Sequence, residues 1–381
     1  MTTVSPERPG ATVTVNDIST PALVLDLAAL DRNIAVMARF FAEGSCRLRP
    51  HVKAHKTPAI ARRQLAAGST VGLTCATLAE AEAVRSFCDD ILIANELIGA
   101  TKGARAAALA GRGRLTVAVD SVVGLEGLAA AARAAGVSIG VLVDLDVGQG
   151  RCGLPPGAPA VDLAKRVCET AGVELRGVMG YEGHVQPIRD RAERRRAAGR
   201  SMEALVGTAE AIRAAGLPCP VVSTGGTGTF DLSGRYPGVT EIQAGSYALM
   251  DTDYGDVGVP FEQAFFVLGT VVSRPLPNRI VADCGHKSAT KDHGTPAVVG
   301  IDGARITAFN DEHATIEVPP ATAIAVGDRL RIRPSHTDPT VNLHDVFYVL
   351  DGERVVDVWE IAARGYPEHR DHAVQGLRSK V

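Results

Sequence analysis

"ALVLDLAALDRNIAVMARFFAEGSCRLRPHVKA", residues 22–54, carries the alternation that decides the fold. Its first six residues are an apolar run of strand length. An Ala-rich amphipathic stretch follows and closes on Gly44, as helix C-termini often do. "RPHVKA" (49–54) then returns to a short β-like run, with Val52 between basic side chains. Strand, helix, strand in this order implies a parallel βαβ unit.

The same texture continues outward from this segment. "VGLTCA" (71–76), "ILIAN" (91–95), "LTVAV" (115–119), "IGVLVDL" (139–145), "GVMGYEG" (177–183), "VVSTG" (221–225) and "EIQAG" (241–245) read as strands, separated by helical stretches such as "ERRRAAGRSMEALVGTAEAIRAAG". About eight or nine such units in some 240 residues fit a closed (β/α)8 barrel of the TIM type better than an open doubly wound sheet, which stands as the structural alternative. Beyond about residue 262 the helical stretches vanish. "AFFVLGTVVSR", "RIVADCG", "ARITAF", "RLRIRP" and "VFYVLDG" are short β-like runs punctuated by Gly, Pro and Asp, which implies a separate all-β domain. The expected organisation is an N-terminal segment 1–20 associated with the β domain, a barrel over 21–262 and a C-terminal β domain over 263–381.

Composition narrows the function. Forty basic residues against 43 acidic ones give a net charge of −3, so no electrostatic argument favours nucleic acid or an anionic membrane. Seven scattered cysteines, odd in number and without a C-x-x-C pair, argue for a reducing compartment. No apolar run reaches the roughly 18 residues of a membrane span, and "MTTVSPERPG" lacks the apolar core of a signal peptide. These features predict a cytoplasmic protein.

In a barrel, chemistry belongs to the C-terminal ends of strands. Read there, the chain presents Lys53 and His55, then Arg151 in "DLDVGQGRCG", then Tyr181 and His184 in "YEGH". "STGGTGTF" is a Gly-rich turn suited to offering backbone N–H groups to an anion, and Gly245 with Ser246 offers a second small-residue approach one βα unit later. Two adjacent late-barrel loops of this kind match the usual phosphate site of the fold. A phosphate site facing a strand-end lysine points to pyridoxal 5′-phosphate.

In the β domain, "RIRPSHTDPTVNLHD" places His336 and Asp338 two residues apart. On an extended segment both side chains share a face, so an imidazole and a carboxylate can share one cation and leave positions for water and substrate. The bland reading of such a pair is a loop hydrogen bond.

Taken in order, "TPALVLDLAALDRNI", "RPHVKAHKTP", "DVGQGRCG", "YEGH", "STGGTGTF" and "GSYALMDTDYG" resemble the D-threonine aldolase / D-serine dehydratase family of fold-type III pyridoxal-phosphate enzymes, distant relatives of alanine racemase. The resemblance spans nearly the whole chain after residue 18. It implies that Lys53 binds the cofactor covalently, that Arg151 holds its phenolic oxygen and that Tyr181 packs on the ring. It further implies that the loop Thr224, Gly225, Gly226, Thr227, Gly228 with Gly245 and Ser246 holds the phosphate. Gln243 would stand opposite the pyridine nitrogen and leave it without a carboxylate partner. The family's K-T-H-K reads Lys53-Ala54-His55-Lys56 here, with His55 facing the cofactor and Lys56 solvated or steering phosphate.

The resemblance also favours a divalent cation (manganese, magnesium or zinc) on His336 and Asp338. The aspartate leans toward carbon–carbon cleavage, because dehydratases of the family usually carry Cys there. Asp292 and His313 would line the substrate site, and His184 is the candidate base. The implied activity is retro-aldol cleavage of a D-β-hydroxy-α-amino acid, resembling D-threonine or 3-hydroxyaspartate, to glycine and an aldehyde, by a homodimer acting on small-molecule substrates. The alternative is a D-serine or 3-hydroxyaspartate dehydratase. More remote are an amino-acid racemase and a noncatalytic pyridoxal-phosphate carrier.

Overall fold

A computed structural model describes residues 12–365. Segment 1–11 of the N-terminal reading and the stretch after 365 lie outside the described residues.

Eight parallel strands make the first sheet: Arg47–Leu48, Leu73–Cys75, Asp90–Glu96, Arg114–Val119, Ile139–Asp144, Val173–Met179, Val221–Thr224 and Glu241–Ile242. Each pairs with its sequence neighbour, apart from the first, which pairs with the last. The remaining gap is bridged by Leu48, whose N–H donates to Ser69 O (3.0 Å) and whose carbonyl accepts from Val71 N (3.0 Å). The expected barrel is therefore present.

Its strands are buried along almost their whole length because helices cover one face and the barrel interior the other. Leu92, Ala118, Leu142 and Met179 form a cluster of their own. Their neighbours Ile91, Ile93, Val117, Val119, Val141 and Val143 join the main core. Side chains at the helix starts hold the βα turns. Asp26 accepts from Ala29 N at 2.9 Å and Asp190 from Glu193 N at 2.7 Å, each supplying a partner that the first helical turn lacks.

Two local expectations are corrected. Ala22–Asp26, read as the first barrel strand, belongs to the second sheet. It pairs antiparallel with Phe265–Leu276 and parallel with Val346–Asp351. Both its faces are covered, Leu23 and Leu25 in one cluster and Ala22 and Val24 in another, so its run looks like that of a buried barrel strand. The second correction is at "RPHVKA". Regular pairing stops at Leu48, and Val52–Ala54 is a 3-10 turn.

The nine-stranded sheet contains the C-terminal strands and that single early one. Val15 N donates to Glu353 O (3.0 Å) and Val355 N to Val13 O (2.9 Å), which ties the described part of the N-terminal segment to the same sheet. All seven cysteines are unpaired. No helix of the described residues is long and apolar enough to cross a membrane.

Candidate active site

At the C-terminal end of the barrel lies a cavity of about 240 Å³. Its lining includes Lys53, Arg151, Tyr181, Gly225, Gly226, Thr227, Gln243, Gly245 and Ser246, nine of the residues expected there, together with His51, Asn95, Cys152 and Tyr254.

The 3-10 turn after Leu48 aims Lys53 into this space. Its Nζ pairs with Asp338 Oδ2, contributed by the β domain. Burial opposes the Lys53 ammonium, but the Asp338 carboxylate, followed by Tyr181, outweighs it, and the lysine pKa lies above its ordinary value. Burial likewise opposes the Asp338 carboxylate, and the Lys53 charge reverses the sign and holds it below the usual range. Asp338 Oδ1 is buried and has no hydrogen-bond partner.

The turn also exchanges the two histidines. His55 was expected beside the cofactor. It is fully buried instead, with Nε2 3.1 Å from Gln64 Oε1 and Nδ1 accepting from Thr57 N at 3.1 Å, and it does not line the cavity. Burial, only partly offset by Gln64, pushes its pKa down to about 4. His51 lines the cavity, and burial, reinforced by the Lys53 charge, holds it well below the ordinary histidine value, so it is neutral. An extended strand would have put 51, 53 and 55 on one face, whereas a helical turn does not. Lys56 is not solvated, since it pairs with buried Glu80 at 2.6 Å.

The phosphate loop divides in two. Thr224 and Gly228 do not line the cavity: the Thr224 hydroxyl donates to Gly180 O (2.7 Å), and Gly228 N donates to Gln186 Oε1 (2.8 Å). Gly225, Gly226 and Thr227 do line it. Thr227 Oγ1 accepts from Tyr247 N at 2.9 Å, which leaves its own proton to donate. Gly225 needs its missing side chain, because φ is +84° and a Cβ would stand 2.6 Å from Ile242 Cδ1. Gln243 Nε2 donates to Ser223 Oγ at 2.8 Å, so its amide oxygen is the group left for the cavity. The Arg151 guanidinium carbon lies 5.6 Å from the Tyr181 ring centroid.

His336 and Asp338 are not on an extended strand. His336 caps the helix Thr337–Asn342, Asp338 lies in its first turn, and the two take different partners. His336 Nδ1 lies 2.6 Å from Asp292 Oδ2, and its ring stacks on His293 with centroids 3.9 Å apart. Asp292, His293 and His336 each offer a ligand atom within 4.8 Å of the others, a nitrogen–oxygen set that suits zinc or manganese. Between His336 and Asp338, Thr337 donates its N–H and its hydroxyl to Asp251 Oδ2 (both 2.9 Å), which docks this helix start on the barrel loop.

His184 and His313 also stay outside the cavity lining. His184 is exposed, its ring against Gly148, and His313 is exposed at the end of the segment 310–313.

The alanine racemase N-terminal domain family matches residues 25–253, and a serine dehydratase domain family matches residues 264–350. A D-threonine aldolase from Arthrobacter sp is 42% identical over 355 residues, covering 92% of this chain and 93% of that protein. The chain belongs to the D-threonine aldolase / D-serine dehydratase-like family. The crystal structure of D-threonine aldolase from Filomicrobium marinum superposes with a TM-score of 0.91 at 39% identity, covering 95% of this chain and 99% of that one. D-threo-3-hydroxyaspartate dehydratase from Delftia sp. HT23 follows with a TM-score of 0.84 at 32% identity, covering 93% and 100%.

In this aldolase/dehydratase-like chain the motif residues Lys53, Arg151 and Tyr181 line the cavity, while its supports lie buried behind them. Glu182 and Asp251 lie inside quoted motifs, "YEGH" and "GSYALMDTDYG", yet both are buried acceptors whose partners come from elsewhere in the chain. His293, next to the expected Asp292, offered the one local signal that was available, a second imidazole beside a carboxylate.

Proposed function

We propose that this chain is a pyridoxal 5′-phosphate- and divalent-cation-dependent aldolase that cleaves D-β-hydroxy-α-amino acids to glycine and an aldehyde. One observation carries the reading. The only lysine lining the cavity among the described residues meets Asp338, two residues from His336, at the junction of barrel and β domain. Covalent-anchor chemistry and cation chemistry thus come to one point.

The residues fit both groups. Gly225, Gly226 and Gly245 keep side chains out of the phosphate end, and Asp338 presents a buried carboxylate oxygen without a partner. Lys53 would hold the cofactor, which would supply the electron sink for the pair released when Cα–Cβ breaks. His336, with Asp338 and with Asp292 and His293 beside it, would hold the cation, which acidifies a substrate hydroxyl.

The chain's own groups do the rest. Tyr181 and Arg151 bound the ring end of the cavity, and Gln243 offers an uncharged acceptor. His51, kept neutral by burial, is the cavity's available proton acceptor, in preference to the exposed His184. The homodimer belongs to the same proposal, supported by the family resemblance.

The deciding experiment is product analysis with D-threonine, D-serine and 3-hydroxy-D-aspartate, with added manganese and with chelator. Aldehyde or glyoxylate together with glycine, lost on chelation, is expected. Keto acid and ammonia without aldehyde would replace this reading by the dehydratase, which the likeness to the Delftia enzyme keeps as the second reading.

A further inference from the structure

Behind the Gly-rich turn lies a carboxylate to which the proposed chemistry assigns no role. Glu182 has no exposed surface. Its Oε1 accepts from Thr229 Oγ1 and from Ser233 Oγ, both at 2.7 Å. Its Oε2 accepts from the Gly225 N–H at 3.2 Å and shares the single Thr224 Oγ1 proton, 2.9 Å away, with Gly180 O at 2.7 Å. The four donors come from a strand end, the Gly-rich turn and the short helix Phe230–Ser233 after it. Gln186 closes the other side: its Oε1 accepts from Gly228 N at 2.8 Å and its Nε2 donates to Thr229 Oγ1 at 2.9 Å.

A carboxyl group buried in such a place needs hydrogen-bond partners, and here the strand end, the turn and the helix supply them. Its oxygens act only as acceptors here, so they offer a phosphate no donor. Whatever Glu182 contributes to cofactor binding must therefore come through shape.

We propose that Glu182 is a positioning residue for the cofactor's phosphate. It turns the Thr224 and Thr229 hydroxyls and the Gly225 N–H away from the cavity; the Gly226 N–H is taken by Thr229 Oγ1 (3.3 Å), which leaves Thr227 as the donor that faces the anion. It also ties that loop to Tyr181, its immediate neighbour in the chain. The proposal rests on the pyridoxal-phosphate reading above.

The test compares two aldehydes on the cofactor-free protein, pyridoxal 5′-phosphate and pyridoxal, each followed by the visible absorbance of capture at Lys53. In Glu182→Gln, affinity for the phosphorylated aldehyde is expected to fall about tenfold to a hundredfold, the equivalent of about one strong hydrogen bond. Affinity for pyridoxal, and the far-ultraviolet circular dichroism, should stay close to wild type. Equal losses for both aldehydes, or no loss, would overturn the proposal. Ser233→Ala, which removes one donor outside the cavity, covers the case in which the first variant does not fold. It should show the same selective loss at about threefold to tenfold, and an unchanged ratio overturns the proposal. A wild-type protein that captures neither aldehyde would sink the cofactor reading itself.

Discussion

Replacing Gly245 by alanine tests how tightly the cofactor cavity is built. A Cβ at this position would stand 2.7 Å from the His51 carbonyl oxygen and 3.0 Å from His51 Cβ, inside the distance at which carbon packs. The nearest obstructing atom is backbone, so no rotamer change removes it. The glycine's φ is −130°, open to any residue, so the effect is purely steric. The His51 N–H is held by Ala244 O at 3.0 Å, and His51 precedes the turn that aims Lys53. Strain at Gly245 therefore passes to Lys53 on one side and to Ser246 on the other. Overpacking of this kind costs about 1–3 kcal/mol. If all of it appeared in cofactor affinity, the loss would be about fivefold to 150-fold. If the backbone gives way instead, the same energy appears as lost stability. Urea unfolding of the cofactor-free variant and a pyridoxal-phosphate titration, taken together, recover the sum. Gly127→Ala is the control: nothing lies within 4 Å of the added carbon, in a helix interior, where alanine gains up to about 1 kcal/mol. A Gly245→Ala protein matching wild type in both measurements would refute the reasoning.

Asp144 is pushed up to about 8 by burial and then by the neighbouring Glu96 carboxylate. The folded protein keeps this proton where the unfolded chain has lost it. The associated stability is complete below the ordinary aspartate range and drains away as pH rises to about 8. Glu96→Gln should therefore shrink the fall in Tm between about pH 6 and pH 8, and an unchanged fall counts against the pairing. Lys53→Ala is expected to abolish the visible absorbance that wild type develops with pyridoxal phosphate; persistence of the band would remove Lys53 as the anchor. His336→Ala and Asp338→Ala should keep that absorbance yet lose D-threonine cleavage by about a hundredfold or more, beyond the loss typical of a group that merely supports a ligand. Full activity without added metal in either variant would end the cation hypothesis.

By itself the sequence determined the repeating βα texture, the change of texture near residue 262 and the strand-end groups Lys53, Arg151, Tyr181 and the Gly-rich turn. These are properties of a few neighbouring residues, where the period of apolar side chains and the residue types at a strand end carry the information. Only the tertiary structure decided which sheet Ala22–Asp26 joins, since its partners, Phe265–Leu276 and Val346–Asp351, come more than two hundred residues later. A single helical turn, invisible in the alternation of "RPHVKA", decided that His51 and not His55 faces the cavity. The meeting of Lys53 with Asp338, 285 residues apart, and the clasp of Glu182 on its four donors likewise depend on long-range packing. A buried charge is stable only where folding delivers its partners, and no local pattern of residues records that delivery.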